Sequence, residues 1–197
     1  MAKNGRRIID GTDASSWTKG IEITGSNVTV ENLYVTGFSD TDEVGIRISE
    51  DAENNKVRRC KIYGNNWGIW VDKADGSQIR DCEIYQNTTH GIDVTWSTNT
   101  VIEGNKVYSN PQYGIRVQCS PEISRNLIYD NDHGILVEAV QTDDISSPTI
   151  KNNVIYKTAS GAMSYGIYTK AVYNGSTGSA TASPVIYHNT IDGGTYT

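Results

Sequence analysis

Short apolar and polar positions alternate along this chain in runs of four to six residues, and the runs recur. The phrase Gly-Ile-x-Val or a near copy stands at Gly20, Gly45, Gly68, Gly91, Gly114, Gly134 and Gly166, with successive spacings of 25, 23, 23, 23, 20 and 32 residues. A second phrase follows each copy. It reads Val57-Arg-Arg-Cys60-Lys-Ile62-Tyr63, Ile79-Arg-Asp-Cys82-Glu-Ile84-Tyr85, Ile102-Glu-Gly-Asn105-Lys-Val107-Tyr108 and Ile123-Ser-Arg-Asn126-Leu-Ile128-Tyr129, with looser versions around Asn32, Asn153 and Asn189. Period-two alternation rich in β-branched residues predicts strands. No stretch carries a sustained helical period behind a cap. A self-similar unit of 20–25 residues with about three short strands predicts a solenoid.

Stacking the units in register predicts an all-β rod of about seven coils, with neighbouring strands about 4.8 Å apart. Ile and Val at matched positions fill a narrow interior. Asn at the corners is expected to take the left-handed backbone and to bond coil to coil. A second Asn column is expected at Asn65, Asn87, Asn110 and Asn131, and a structural tyrosine column at Tyr63, Tyr85, Tyr108, Tyr129 and Tyr156.

In Gly-Ile-x-Val the Ile and Val point inward, so x and the residue after Val point outward. This predicts one exposed strip: Glu22/Thr24, Arg47/Ser49, Trp70/Asp72, Asp93/Thr95, Arg116/Gln118, Leu136/Glu138 and Tyr168/Lys170. An indole to stack on a sugar ring, carboxylates to accept hydroxyls and Arg to hold an acid group suit a glycan. Arg47, Trp70, Trp96, Glu138 and Tyr168 are the candidate substrate-binding residues, and Asp72, Asp93 and Arg116 the candidate catalytic group. Trp67, His90, Tyr113, Asp130 and His133 are expected in flanking loops. Each has a blander reading: Asp93 and Arg116 as a surface ion pair, Trp70 packed on loops, the histidines as solvated turn residues.

The repeats resemble those of the right-handed parallel β-helix, pectate-lyase-like superfamily, of the carbohydrate-binding and sugar-hydrolase type. The resemblance runs over about residues 20–192. It implies a substrate lying along the Gly-Ile-x-Val sheet. Two carboxylates about 5–8 Å apart by the strand spacing would suit a hydrolase. A uronate lyase would need a cation, calcium being the candidate, and a base such as Arg116, Arg47 or Lys73. Asp72, Asp75, Asp93 and the acidic loops Asp130–Asp132 and Asp143–Asp144 are the candidate calcium oxygens, with no metal site assigned. No Arg-x-Pro-x-x-Arg, Asn-Thr-Asp, Gly-His-Gly, Arg-Ile-Lys or Asp-Pro-His motif occurs, so no catalytic residue transfers from those families.

Two readings stay open: recognition and cleavage of an acidic polysaccharide by a lyase or hydrolase, or a non-catalytic structural or adhesion β-helix such as part of a surface or phage tail protein. Composition narrows the rest. A net charge of −6 with no basic patch argues against nucleic acid. No apolar run approaches the roughly 20 residues that span a bilayer. Three cysteines are no disulfide framework, and Cys60 and Cys82, one coil apart, read as buried thiols. Residues 1–19 read as a partial coil or leader and 20–197 as the repeat domain, uncapped at its end. A flanking domain or a second copy of the chain is expected over the open ends, with the parent secreted, cell-surface or virion-associated. The Gly/Ser/Thr/Ala-rich insert 170–184 reads as a mobile loop or a lid, and the insert 138–148 is expected to wall one side of the strip.

Overall fold

The computed structural model describes residues 2–3, 6–12, 18–141, 144–158, 163–172 and 179–193. Asp143, the middle of the 170–184 insert (173–178), the last four residues and part of the leader lie outside the described residues. The described elements are strands and connecting turns. They form a parallel β-solenoid with three long faces. The first sheet has nine strands and contains Leu33–Thr36, Lys61–Tyr63, Glu83–Tyr85 and Lys106–Tyr108. The second has seven, among them Lys56–Arg58, Gln78–Arg80 and Val101–Glu103. The third also has seven: Lys19–Ile23, Val44–Ile48, Trp67–Asp72, Ile92–Thr95, Tyr113–Gln118, His133–Ala139 and Tyr165–Ala171. The seven rungs of the second and third sheets match the expected count of coils.

Register follows the sequence repeat residue for residue. Ile46 pairs with Ile69, Ile69 with Ile92, Ile92 with Ile115, and Ile115 with Ile135. These isoleucines are fully buried, each contributing about 1.5–3 kcal/mol of transfer free energy. The repeated glycine marks where successive turns touch. A Cβ on Gly68 would stand 2.4 Å from the carbonyl oxygen of Gly91, and one on Gly91 2.6 Å from that of Gly114.

The corners differ from expectation in one respect. The left-handed residue is the one before each ladder Asn or Cys, namely Arg59, Asp81, Gly104, Arg125 and Asn152. The ladder residue itself turns inward and bonds along the rod. Asn105 Nδ2 donates to Asn126 Oδ1 at 3.0 Å, Asn126 to Asn153 at 3.0 Å and Asn153 to Asn189 at 2.9 Å. The second column runs Asn65, Asn87, Asn110 and Asn131 with amide bonds of 3.0–3.1 Å. Cys60 and Cys82 occupy the first column as buried free thiols, as does Cys119 elsewhere. Cys82 N–H still donates to Asn105 Oδ1 at 3.0 Å. The two inserts meet, Ile145–Ser146 pairing in parallel with Thr181–Ala182. Among the described residues no helix is long and apolar enough to cross a membrane.

Candidate functional site

The three outward faces differ in what they offer a ligand. On the first sheet the tyrosine column stacks face to face, with centroids 4.7–5.1 Å apart and interplanar angles of 3–14° from Tyr63 through Tyr156. Each ring covers its neighbour, so the column shows edges rather than faces. The second sheet carries ion pairs, Arg58 with Glu31 at 2.6 Å, Arg80 with Glu103 and Lys151 with Glu122. The third sheet combines both chemistries.

Its x positions form one row. Glu22 stands beside Arg47, Arg47 beside Trp70, Trp70 beside Asp93, Asp93 beside Arg116, Arg116 beside Leu136 and Leu136 beside Tyr168. Two residues further along each strand a second row passes through Asp72, Thr95, Gln118, Glu138 and Lys170, in which Asp72 pairs with Thr95, Thr95 with Gln118 and Glu138 with Lys170. The rows are tied together. Arg116 Nη1 donates to Asp93 Oδ2 at 2.9 Å, and its Nη2 and Nε donate to Glu138 Oε2 at 2.9 and 3.2 Å. Lys170 Nζ reaches Glu138 Oε1 at 2.8 Å. Arg47 Nη2 donates to Asp72 Oδ2 at 3.0 Å, while its guanidinium lies 4.4 Å from the Trp70 ring centre. Trp70 Nε1 donates to Thr95 Oγ1 at 3.1 Å.

The expectation of a continuous wet strip fails at its centre. Asp93 is 0% exposed, Glu138 6% and Leu136 2%. The residues do point outward. At a rung spacing of about 4.8 Å, however, long side chains on adjacent turns close over the shorter ones between them. Asp93 lies between Trp70 and Arg116 on the flanking strands. Burial pushes its carboxyl up to about 6 against the opposing pull of the Arg116 guanidinium, and its Oδ1 has no hydrogen-bond partner. For Glu138 the bonds from Lys170 and Arg116 outweigh burial and hold the carboxyl below its ordinary value.

A third row was misplaced by the sequence reading. Trp67, Tyr113 and His133 begin strands rather than sitting in loops, and with His90 and Tyr165 they form an unbroken aromatic row. Ring centres step from Trp67 to His90 by 5.8 Å, then to Tyr113 by 5.1 Å, His133 by 5.0 Å and Tyr165 by 5.2 Å. The signal was legible: the position before the repeat glycine is aromatic or His in five successive repeats. His90 is not a solvated turn residue. Burial, then the charge of Arg116, lowers its pKa to about 4, and its Nδ1 is buried without a partner. Trp67 meets Trp70 edge-on at 4.9 Å, and Tyr168 stacks on Tyr165 at 4.6 Å, so these rings join the first two rows to the third.

The remaining candidates lie apart. Trp96 follows Thr95 at a left-handed corner and is 38% exposed. Lys73 holds the equivalent corner one turn earlier and pairs with Glu50 at 2.9 Å. The acidic loops brace neighbouring turns or their own backbone. Asp75 accepts from Thr98 N–H at 2.7 Å, Asp132 from Ser164 at 2.7 Å and Asp144 from Gln141 N–H at 2.7 Å. No three His, Cys, Asp or Glu side chains gather as metal ligands among the described residues.

Geometry of this kind, three parallel sheets wound in register with one decorated face, defines a β-helix. A family model described as "Right handed beta helix region" matches residues 1–121, and the chain belongs to that family. A mannuronan C5-epimerase of Pseudomonas putida is 33% identical over 89 residues, 44% of this chain and 17% of the epimerase. The tail spike protein of Salmonella phage epsilon15 is 22% identical over 174 residues, 70% of this chain and 16% of the spike. The crystal structure of pectate lyase Pel9A superposes with a TM-score of 0.59 over 87% of this chain and 49% of the lyase, at 18% identity. The chain thus matches about a sixth of the length of the two curated relatives, and the likeness to the lyase is one of fold.

Proposed function

We propose that the protein recognises an acidic polysaccharide along the outward face of the third sheet, the glycan running parallel to the rod axis across successive turns. One observation carries this reading. On the first sheet the tyrosine column also runs beside charged groups, Lys61, Glu83 and Lys106, but its rings are closed face to face; on the third sheet the aromatic row beside the charged row keeps its rings tilted by 32–55° from Trp67 to Tyr165. Trp70, Tyr168 and Trp96 supply aromatic surface and Arg47 the positive charge, while Glu138, whose oxygens are held by Arg116, Gln118 and Lys170, braces the face from beneath rather than meeting the sugar. The named relatives support it from outside: mannuronan, pectate and a phage spike stand in their names.

In this reading Asp72, Asp93 and Arg116 form the candidate catalytic group. Asp93, with a pKa of about 6, exchanges its proton near neutral pH. A second reading, a non-catalytic structural or adhesion β-helix, has its own support. Three N–H groups of Arg116 are held by Asp93 and Glu138. An arginine tied to two buried carboxylates suits a spine better than a site that must grip and release substrate.

The test is titration calorimetry with pectate and alginate oligosaccharides on wild type and Trp70→Ala. Binding that weakens about tenfold in the variant supports recognition, since a ring contact supplies on the order of 1 kcal/mol. No binding by any acidic glycan rejects it. Ultraviolet absorbance of an unsaturated uronate product reports a lyase and new reducing ends report a hydrolase. Binding without either product leaves recognition standing and removes catalysis.

A further inference from the structure

The first Asn ladder is not amide throughout. Before Asn105 its rungs are Cys82 and Cys60, stacked in register because Arg58 pairs with Arg80 and Lys61 with Glu83 on either side of them. From Asn105 to Asn189 each rung is tied to the next by an amide bond of 2.9–3.0 Å. Between Cys60 and Cys82 two thiols take that place. Their Cα atoms stand one strand spacing apart, about 4.8 Å, inside the range of about 4.4–6.8 Å that a disulfide spans. Cys82 Sγ leans toward the Cys60 turn and lies 3.6 Å from the Val57 carbonyl oxygen, as Asn105 Nδ2 leans toward the Ile79 oxygen at 2.9 Å. The hydrogen bond between the two thiols lowers the pKa of Cys60 and raises that of Cys82, which burial raises further. Both residues are buried, but their surroundings differ. A cleft of about 280 Å³ is lined by Arg59, Cys60, Lys61, Asp81 and Glu83, and Cys60 is the thiol in its wall.

We infer that Cys60 and Cys82 are a peroxide-sensitive dithiol: Cys60 is oxidised first, from the cleft, and Cys82 closes a disulfide onto it. Hydrogen peroxide is little larger than water, so burial that keeps a bulky thiol reagent out admits it. The cations of the cleft are already matched, Arg59 by Glu31 and Lys61 by Glu83, which suits a neutral oxidant rather than an anion. The Cys60 sulfur attacks one peroxide oxygen and the O–O bond breaks. This leaves Cys60 as a sulfenic acid and releases one water. The Cys82 sulfur then attacks the Cys60 sulfur, the S–O bond breaks and a second water leaves. Two thiols and one peroxide thus give one disulfide and two waters. The bond between the thiols favours the thiolate on Cys60, the order that the cleft also imposes. Cys119 has neither advantage. No thiol stands on the turn before or after it, and burial pushes its pKa up to about 12. The disulfide closes residues 60–82 into a covalent ring of one complete turn, the turn that carries Trp67, Trp70 and Asp72, and it supplies the tie that amides supply further along the ladder.

The experiment treats folded, fully reduced wild type, Cys60→Ser, Cys82→Ser and Cys119→Ser with hydrogen peroxide, with and without dimedone to trap sulfenic acid. The peroxide is then removed, and the protein is unfolded in an alkylating agent and mapped by mass spectrometry. Circular dichroism confirms the fold of each protein. Wild type and Cys119→Ser are expected to lose the two thiols of Cys60 and Cys82 together, as one linked peptide pair lighter by two hydrogens and restored by a dithiol reductant. That loss should run at least about tenfold faster than oxidation of Cys119. Cys82→Ser should carry the dimedone adduct on Cys60 with no cross-link, and Cys60→Ser should lose no thiol over the same time. Wild type that keeps all three thiols overturns the inference, as does oxidation of Cys119 at an equal rate. A dimedone adduct on Cys82 in Cys60→Ser, formed as fast as that on Cys60 in Cys82→Ser, overturns the order assigned to the pair. Should a serine variant fail to fold, the linked peptide and the relative rates in wild type decide alone.

Discussion

Asp93 and His90, three residues apart on one turn of the third face, make opposite demands on pH, and their replacement should separate two slopes that cancel in the wild type. Burial raises the Asp93 carboxyl from 3.8 to about 6. Between those values the folded chain holds a proton that the unfolded chain has lost, so stability falls as pH rises. Burial, helped by Arg116, lowers His90 from 6.5 to about 4. Across that interval the unfolded chain holds the proton instead, so stability rises with pH. Each interval corresponds to about 3 kcal/mol, and in a chain of this size about 2–4 °C of melting temperature accompanies each kcal/mol. Melting curves of wild type, Asp93→Asn and His90→Gln at pH 4 and pH 6.5 read both. The Asp93→Asn midpoint minus that of wild type should increase by about 6–12 °C across the range, and the His90→Gln difference should decrease by a similar amount. Groups remote from both sites that titrate alike in all three proteins, Glu83 among them, drop out of the differences. A flat Asp93→Asn difference would refute the argument. A decrease would show that Arg116, not burial, governs the carboxyl.

Three further outcomes follow from the ladders and the close turns. Asn110→Ala deletes the acceptor of Asn87 N–H and Nδ2–H and the donor to Asn131; it should destabilise by about 3 kcal/mol or more, read from denaturant unfolding, because buried donors lose their partners. Gly91→Ala places a methyl 2.6 Å from the Gly114 carbonyl and 2.7 Å from Val107 Cγ1; it should cost about 1–3 kcal/mol, and a variant as stable as wild type would show that the turns do not touch there. Native protein should give no fast reaction with a thiol reagent and three equivalents after unfolding, since Cys60, Cys82 and Cys119 are all buried and free. Fewer than three in non-reducing denaturant would reveal a disulfide between Cys60 and Cys82.

Architecture was legible because a solenoid repeats one local problem. The Gly-Ile-x-Val phrase and the Asn and Tyr columns recur at a constant interval, and in-register stacking is the arrangement that lets every Ile, Asn and Tyr meet its own kind. Which residues face outward on the third sheet followed from the same alternation, and the row from Glu22 to Tyr168 is continuous as expected. Depth was not legible. Alternation assigns a side chain to a face but says nothing about how far neighbours one turn away lean across it. Asp93, outward by pattern, is therefore sealed, while Trp96, one residue beyond the strand, is open. Nor did alternation show that Trp67, Tyr113, His133 and Tyr165 open strands instead of closing loops, because a strand's first residue is decided by pairing with the next turn. The periodic sequence alone determined the rod, its core and its ladders. Only the packed tertiary structure decided which outward groups keep water, which trade it for an ion pair, and which rings close into one aromatic row, since those depend on contacts between side chains twenty or more residues apart.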